Sequence, residues 1–157
     1  MSRESFQELI ASVTAPLVGR ALDEALAETL NRELGPGSAA FEALSQACRD
    51  GVAEGFLCER EAGGIRYGRV LKAGPATHRF SVDVVDMQDC IGPHHAHPNG
   101  EIDLVMPVEG DARFDGRPAG WVVYGPGSAH HPTVTGGRAL VLYLLPEGAI
   151  EFTRRAA

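Results

Sequence analysis

The sequence predicts a mainly β fold: a small antiparallel barrel or sandwich preceded by an extension of about three helices. Three observations carry that prediction. Up to about residue 55, apolar side chains recur at three-and-four spacing, the pattern of helices with one buried face. Beyond Gly55 they alternate instead, and turn residues arrive every ten residues or so, the rhythm of a barrel or sandwich. Finally, the stretch Gly92-Pro93-His94-His95-Ala96-His97-Pro98-Asn99-Gly100-Glu101 gathers four side chains able to bind a metal, and His130 follows downstream.

Composition sets the outer limits. A chain of 157 residues suits one domain with a small extension. With 44% hydrophobic and 22% charged residues it can bury a core and does not read as disordered. The formal net charge of −7 argues against nucleic acid or an anionic membrane as partner. Cys48, Cys58 and Cys90 are odd in number and widely spread, which fits free thiols in a reducing compartment better than a disulfide frame. No cationic leader precedes an apolar core, and no apolar run approaches the roughly 20 residues needed to span a bilayer. The expectation is a cytoplasmic protein.

The elements follow in order. Phe6, Leu9, Ile10, Val13 and Leu17 mark a first helix, with Ser2 or Ser5 as cap and Pro16 ending or kinking it. Leu22, Leu26, Leu30 and Leu34 mark a second, capped by Asp23 and stopped by Gly35-Pro36-Gly37. A third starts at Ser38, carries Phe41, Leu44, Cys48 and Val52 on one face, and ends near Gly55. Three short helices invite a helix-turn-helix reading. Charge opposes it, because residues 1–55 hold four arginines against nine carboxylates, a surface that repels phosphate. These residues are expected to form a helical extension packed on the barrel of residues 56–157.

In the barrel, residues 56–58 are a short strand candidate, Glu61-Ala62-Gly63-Gly64 a turn, and residues 65–71 an alternating strand. Phe80, Val82 and Val84 alternate on the next strand. Later strands are expected around residues 91–97, 101–108, 112–114, 120–124 and 139–145, with Glu109-Gly110-Asp111 and Asp115-Gly116 as hairpin turns.

The metal reading rests on spacing. His95 and His97 alternate with Ala96, so on a strand both point to one face. Pro98-Asn99-Gly100 is turn chemistry, and it returns Glu101 beside them. Gly125-Pro126-Gly127 is a tight turn that delivers His130. Three imidazoles and a carboxylate suit iron, manganese, zinc, nickel or cobalt, and leave positions open for a substrate. Asp103 shares the face of Glu101 and serves either as a general acid or base or as an orienting group for a ligand. Arg66 and Arg69, three apart on one strand, face opposite ways, so at most one looks into the barrel. Tyr67 shares the face of Arg69. Trp121, Phe80 and Tyr143 read as core. His94, His131 and His78 read as surface or supporting residues.

These motifs resemble the cupin superfamily. His95-x-His97, three residues and Glu101, then Gly125-Pro126-Gly127 and His130, fill its four ligand positions. The departures fall in turns: Gly92 and Gly110 are displaced, and Gly125 stands where proline is usual. The resemblance implies a cupin-type jelly-roll barrel with the metal inside its mouth.

A narrower likeness is carried by residues 61–69, by Pro98-Asn99-Gly100-Glu101-Ile102-Asp103-Leu104-Val105-Met106-Pro107, and by residues 139–146. With the three leading helices, these resemble the bacterial para-hydroxylaminobenzoate lyase family. That family converts 4-hydroxylaminobenzoate to protocatechuate and ammonia. The resemblance implies a metal held by His95, His97, Glu101 and His130, proton transfer by Asp103 or Glu101, and a small aromatic carboxylate held by Arg69 or Arg66 near Tyr67. A homodimer is the expected assembly. Two rivals stay open: another cupin enzyme, such as a dioxygenase or isomerase on an aromatic or keto acid, and a ligand-sensing cupin without turnover.

Overall fold

The computed structural model describes residues 1–153. Three helices come first: α1 Arg3–Thr14, α2 Glu24–Leu34 and α3 Ala39–Glu54. Their caps explain their limits. The Ser2 hydroxyl accepts from the Ser5 amide and the Ser5 hydroxyl accepts from the Ser2 amide, a reciprocal capping box. Asp23 accepts from Leu26 N and Ser38 from Phe41 N. Pro16 ends α1, and Ala15–Leu17 tightens into a single 3-10 turn.

Nine strands follow: β1 Arg60–Ala62, β2 Ile65–Leu71, β3 Phe80–Ile91, β4 His95–His97, β5 Glu101–Phe114, β6 Gly120–Tyr124, β7 Ser128–His130, β8 Thr133–Pro146 and β9 Glu151–Phe152. They form a six-stranded sheet in the order β1-β2-β3-β8-β5-β6 and a three-stranded sheet in the order β7-β4-β9. Every pairing is antiparallel. The two sheets face each other as a cupin-type barrel, and the helices cover the outer face of the larger one.

Alternation divides each long strand between two cores. Val82, Val84, Leu140, Leu142, Leu144, Ile102, Leu104 and Met106 pack outward against Phe6, Ile10, Leu26, Leu30 and Leu44 of the helices. Val85, Met87, Val105, Val122, Val141 and Tyr143 point inward. Each buried aliphatic side chain contributes about 1.5–3 kcal/mol, so the outer layer is the main adhesive between helices and barrel. Asn31 fixes the angle of α2: its Oδ1 accepts from Trp121 N at 2.7 Å and its Nδ2 donates to Trp121 O at 2.9 Å. Trp121 Nε1 donates to Leu34 O.

Four expectations change. Residues 56–58 are not a strand. They wrap back over the end of α3, with the Phe56 and Leu57 amides both donating to Gly51 O, and Leu57 is buried there. The first strand is instead Arg60–Ala62, because Gly63 and Gly64 alone make the hairpin turn. Both have positive φ (59° and 81°), and Ala62 pairs with Ile65 across them. Glu109-Gly110-Asp111 makes a bulge, not a turn, and β5 runs on to Phe114 with register shifts on either side. The strand expected over residues 91–97 is interrupted at 92–94, so β4 leaves the six-stranded sheet and joins the smaller one.

Candidate metal centre and adjoining cavity

The site is assembled from three strands of two sheets. His95 and His97 share the inner face of β4, and His95 pairs in register with His130 of β7. Glu101 opens β5 after the turn at Gly100, whose φ is 85°. A Cβ at Gly100 would stand 2.7 Å from Tyr124 O, so only glycine lets the chain turn this close to β6.

One donor atom from each of His95, His97, Glu101 and His130 lies within 4.8 Å of the others. His97 Nε2 is 3.1 Å from Glu101 Oε2, His130 Nε2 is 3.7 Å from the same oxygen, and His95 Nε2 is 3.8 Å from Oε1. His130 Nε2 and His95 Nε2 stand 3.2 Å apart. Three of the four side chains are almost fully buried, and His130 is 12% exposed.

Two features make this donor set fit a cation. All three Nδ1 atoms are engaged on the outside of the cluster: His95 Nδ1 with Pro93 O at 3.3 Å, His97 Nδ1 with Ser128 Oγ at 3.0 Å, and His130 Nδ1 with Asp115 Oδ2 at 2.5 Å. Three Nε2 lone pairs are thereby left to converge, the arrangement that orients metal-binding histidines. Secondly, His97 Nε2 and both Glu101 oxygens are buried without a directed hydrogen bond. These atoms face one another with no other partner among the described residues, and a divalent ion among the four groups would take the partners' place.

Around the cluster, charge is partitioned. Burial pushes the Glu101 carboxyl up, but the His95 and His97 imidazoles outweigh it and hold it at about 2. Asp103, two residues along the same face and fully buried, goes the other way. Burial and the neighbouring Glu101 charge raise it well above the usual carboxylate range. The pair therefore holds one charge and one proton. Tyr143 lies beside Asp103 in register, and Asp83 lies beside Tyr143 on its other side. Burial and the nearby carboxylates keep the Tyr143 phenol protonated.

A cavity of about 630 Å³ adjoins the cluster. His95 and Tyr143 border it at the metal-ligand side, and Ile65, Val85, Met87, Ile150 and Phe152 form apolar walls. Tyr67, Arg69, Asp83 and Arg60 also line it. Of the two arginines singled out in the sequence, Arg69 borders the cavity. Arg66 does not; it reaches across the opposite face towards Asp86, 3.9 Å away. Strand alternation separates them.

Several supporting residues are not apparent from the sequence. Asp115, which reads as a turn residue, accepts from both His130 Nδ1 and the Tyr124 hydroxyl at 2.5 Å and from Thr133 N at 2.9 Å. Ser128 passes a hydrogen bond from His97 to Gly125 O. Tyr143 belongs to the core, yet it also borders the cavity. Spacing held one partial signal, since Ser128 precedes His130 by two residues and so shares its face. His94 contacts Thr153 and stacks edge-on with His131. His78 bonds Thr14 at 2.8 Å, joining α1 to the barrel.

The 4-hydroxylaminobenzoate lyase family profile matches residues 8–152. A 4-hydroxylaminobenzoate lyase from Nocardioides sp. (strain LMS-CY) is 36% identical over 146 residues, 87% of this chain and 86% of the relative. One from Pseudomonas putida is 33% identical over 144 residues, 81% of this chain and 82% of the relative. Among solved structures, the DMSP lyase DddQ from Ruegeria pomeroyi DSS-3 aligns over 99% of this chain and all of its own, at 19% identity and a TM-score of 0.42. An oxalate oxidase in complex with glycolate aligns over 59% of this chain and 57% of its own, at 20% identity and 0.43. A family profile matched along nearly the whole chain, with two relatives at 36% and 33% identity, makes this chain an enzyme of the 4-hydroxylaminobenzoate lyase family.

Proposed function

We propose that the chain is a metal-dependent lyase that converts 4-hydroxylaminobenzoate to protocatechuate and ammonia. The observation that carries this reading is the meeting of a four-donor cluster with an apolar cavity at His95, in a chain of this family. The net reaction takes up one water and releases one ammonia, so no outside oxidant or reductant enters. The N–O bond breaks, a hydroxyl forms on the neighbouring ring carbon, and the resulting imine is hydrolysed.

His95, His97, Glu101 and His130 would hold the divalent ion, with iron, manganese, zinc, nickel and cobalt all compatible. When bound, it supplies Lewis acidity towards the hydroxylamino oxygen. The chain's own groups handle binding and protons. Tyr143 presents a protonated phenol beside His95, positioned to hydrogen-bond the departing hydroxyl. Asp103 keeps a proton next to the Glu101 carboxylate, a reserve for the ammonia that must leave. Ile65, Val85 and Met87 pack against the aromatic ring and keep water from the imine until hydrolysis. Tyr67 and Arg69 receive the end of the ring that carries the carboxylate.

The test is direct. Metal-supplied protein incubated with 4-hydroxylaminobenzoate should yield protocatechuate and ammonia in equal amounts without consuming oxygen. Absence of turnover removes the reading, and oxygen uptake turns it into a dioxygenase. Elemental analysis beside the His95→Ala variant, which should lose the metal, locates the site independently. A cytoplasmic setting accords with three free thiols, and a homodimer is checked by light scattering.

A further inference from the structure

We propose that Arg60, on the first strand of the barrel, is the cation that grips the ring carboxylate. This rests on the aromatic-carboxylate reading above and names the residue that gives it polarity. Arg69 borders the cavity, but its Nε and Nη2 are already engaged. Nε donates to Asp83 Oδ1 at 2.8 Å and Nη2 approaches Asp83 Oδ2 and Gly148 O, each at 3.4 Å. The Asp83 carboxylate, 2.8 Å from Arg69 Nε, offsets the guanidinium charge as seen by a ligand, although Arg69 itself is 36% exposed. Arg69 therefore shapes the wall without offering net charge. Glu59, the other acidic group on this wall, faces Arg3 at 3.6 Å. Arg66 is outside the cavity altogether.

Arg60 is what remains. It lines the same cavity, is exposed, and makes no ion pair or side-chain hydrogen bond among the described residues. It pairs in register with Tyr67, so both side chains stand on the cavity face of the β1-β2 hairpin. In the sheet order, β1 lies three places from β8, which carries Tyr143, about 14 Å at the ordinary strand spacing. On the intervening β2 and β3 the lining is apolar at Ile65, Val85 and Met87, beside the mutually paired Arg69 and Asp83. A ligand with a reactive group at one end, an aromatic middle and an anion at the other matches that sequence of surfaces. A planar guanidinium binds a carboxylate through two parallel hydrogen bonds, which also fixes the direction of the ring.

The experiment is a binding titration of the protein with its native metal content, using 4-hydroxybenzoate and 4-hydroxybenzamide as probes. Wild type should prefer the carboxylate by about tenfold, the scale of one hydrogen bond to a charged group. Arg60→Gln should abolish that preference with an unchanged melting temperature, because Arg60 holds nothing else in place. Arg60→Lys should retain part of it. A preference that survives in Arg60→Gln, or is absent from wild type, overturns the assignment. Product formation from 4-hydroxylaminobenzoate is scored separately. Turnover with an Arg60-independent preference sinks this inference alone, whereas an Arg60-dependent preference without turnover sinks only the lyase reaction.

Discussion

The two faces of the six-stranded sheet are built from alternate residues of the same strands, yet they do opposite work. On β5, Ile102, Leu104 and Met106 turn outward into a layer of aliphatic side chains under the helices. Their neighbours Glu101 and Asp103 turn inward and are just as deeply buried. On β8, Leu142 and Leu144 face out and Tyr143 faces in; on β3, Val82 and Val84 face out and Asp83 faces in. Burial on the outer face removes apolar surface from water and stabilises the fold. Burial on the inner face strips the Asp103 carboxyl of water without giving it a hydrogen-bond partner among the described residues, and destabilises the fold. A shift of one residue along the chain separates the two roles. The outer face holds the barrel shut so that the inner face can keep an unfavourable constellation in position.

That contrast is open to attack from both sides. The largest effect is expected outside. Leu142→Ala leaves a cavity between β8 and the helices and should cost about 2–5 kcal/mol, measured by denaturant unfolding. The folded fraction should still bind metal. If metal binding is lost while the fold persists, the two faces are not independent. The opposite sign is expected inside. Asp103→Asn removes a carboxyl that burial and the Glu101 charge raise well above its usual range, and should stabilise the metal-free protein by about 1–4 kcal/mol, the scale of protonating a carboxyl against its solution preference. Metal affinity should change little, because Asp103 is not one of the four donors. A metal-free Asp103→Asn protein that melts lower than wild type would mean that this inner carboxyl supports the fold.

The same contrast explains what could be read without coordinates. The outer face was legible because its signal is periodic: Leu140, Leu142 and Leu144 announce a strand, and Phe6, Ile10 and Val13 a helix. The four-donor cluster was legible because its side chains are chemically distinctive and three of them are joined by a short turn. Turn chemistry was ambiguous, since Gly110 supplies the same positive φ to a bulge as to a hairpin, and only pairing with β8 decides between them. The arginines were ambiguous for another reason. Alternation places Arg66 and Arg69 on opposite faces, but whether an arginine is already paired depends on Asp83, fourteen residues away on another strand. Asp115 was hidden because its role comes from β7 folding back over it.

Asp115 supplies the next prediction, smaller than those above. It anchors His130 from outside the cluster and is partly exposed, so its removal should disturb alignment more than stability. Asp115→Asn keeps the size but replaces one carboxylate oxygen by an amide. Loss of an anchoring carboxylate behind a ligand histidine typically weakens metal affinity about 10–100-fold. Competition against a chromogenic chelator should show that range, with a melting temperature near wild type. An unchanged affinity would show that β7 alone holds the ring.

The smallest effect needs no substitution, because the three thiols report on the two faces separately. Cys58 sits under the outer layer with its Sγ directed at Val84 O, and Cys48 is buried on α3. Burial pushes both thiols up to about 12, so at pH 8 almost no thiolate is present on either. Cys90, near the end of β3, packs beside the inner core but is only partly covered, and its thiol is raised less. An alkylating reagent at pH 8 should therefore modify Cys90 in the native protein and reach Cys48 and Cys58 only on unfolding. Mass spectrometry of the labelled chain reads all three sites at once. Early labelling of Cys48 or Cys58 would reveal local opening between helices and sheet, and with it an outer face too loose to constrain the charges behind it.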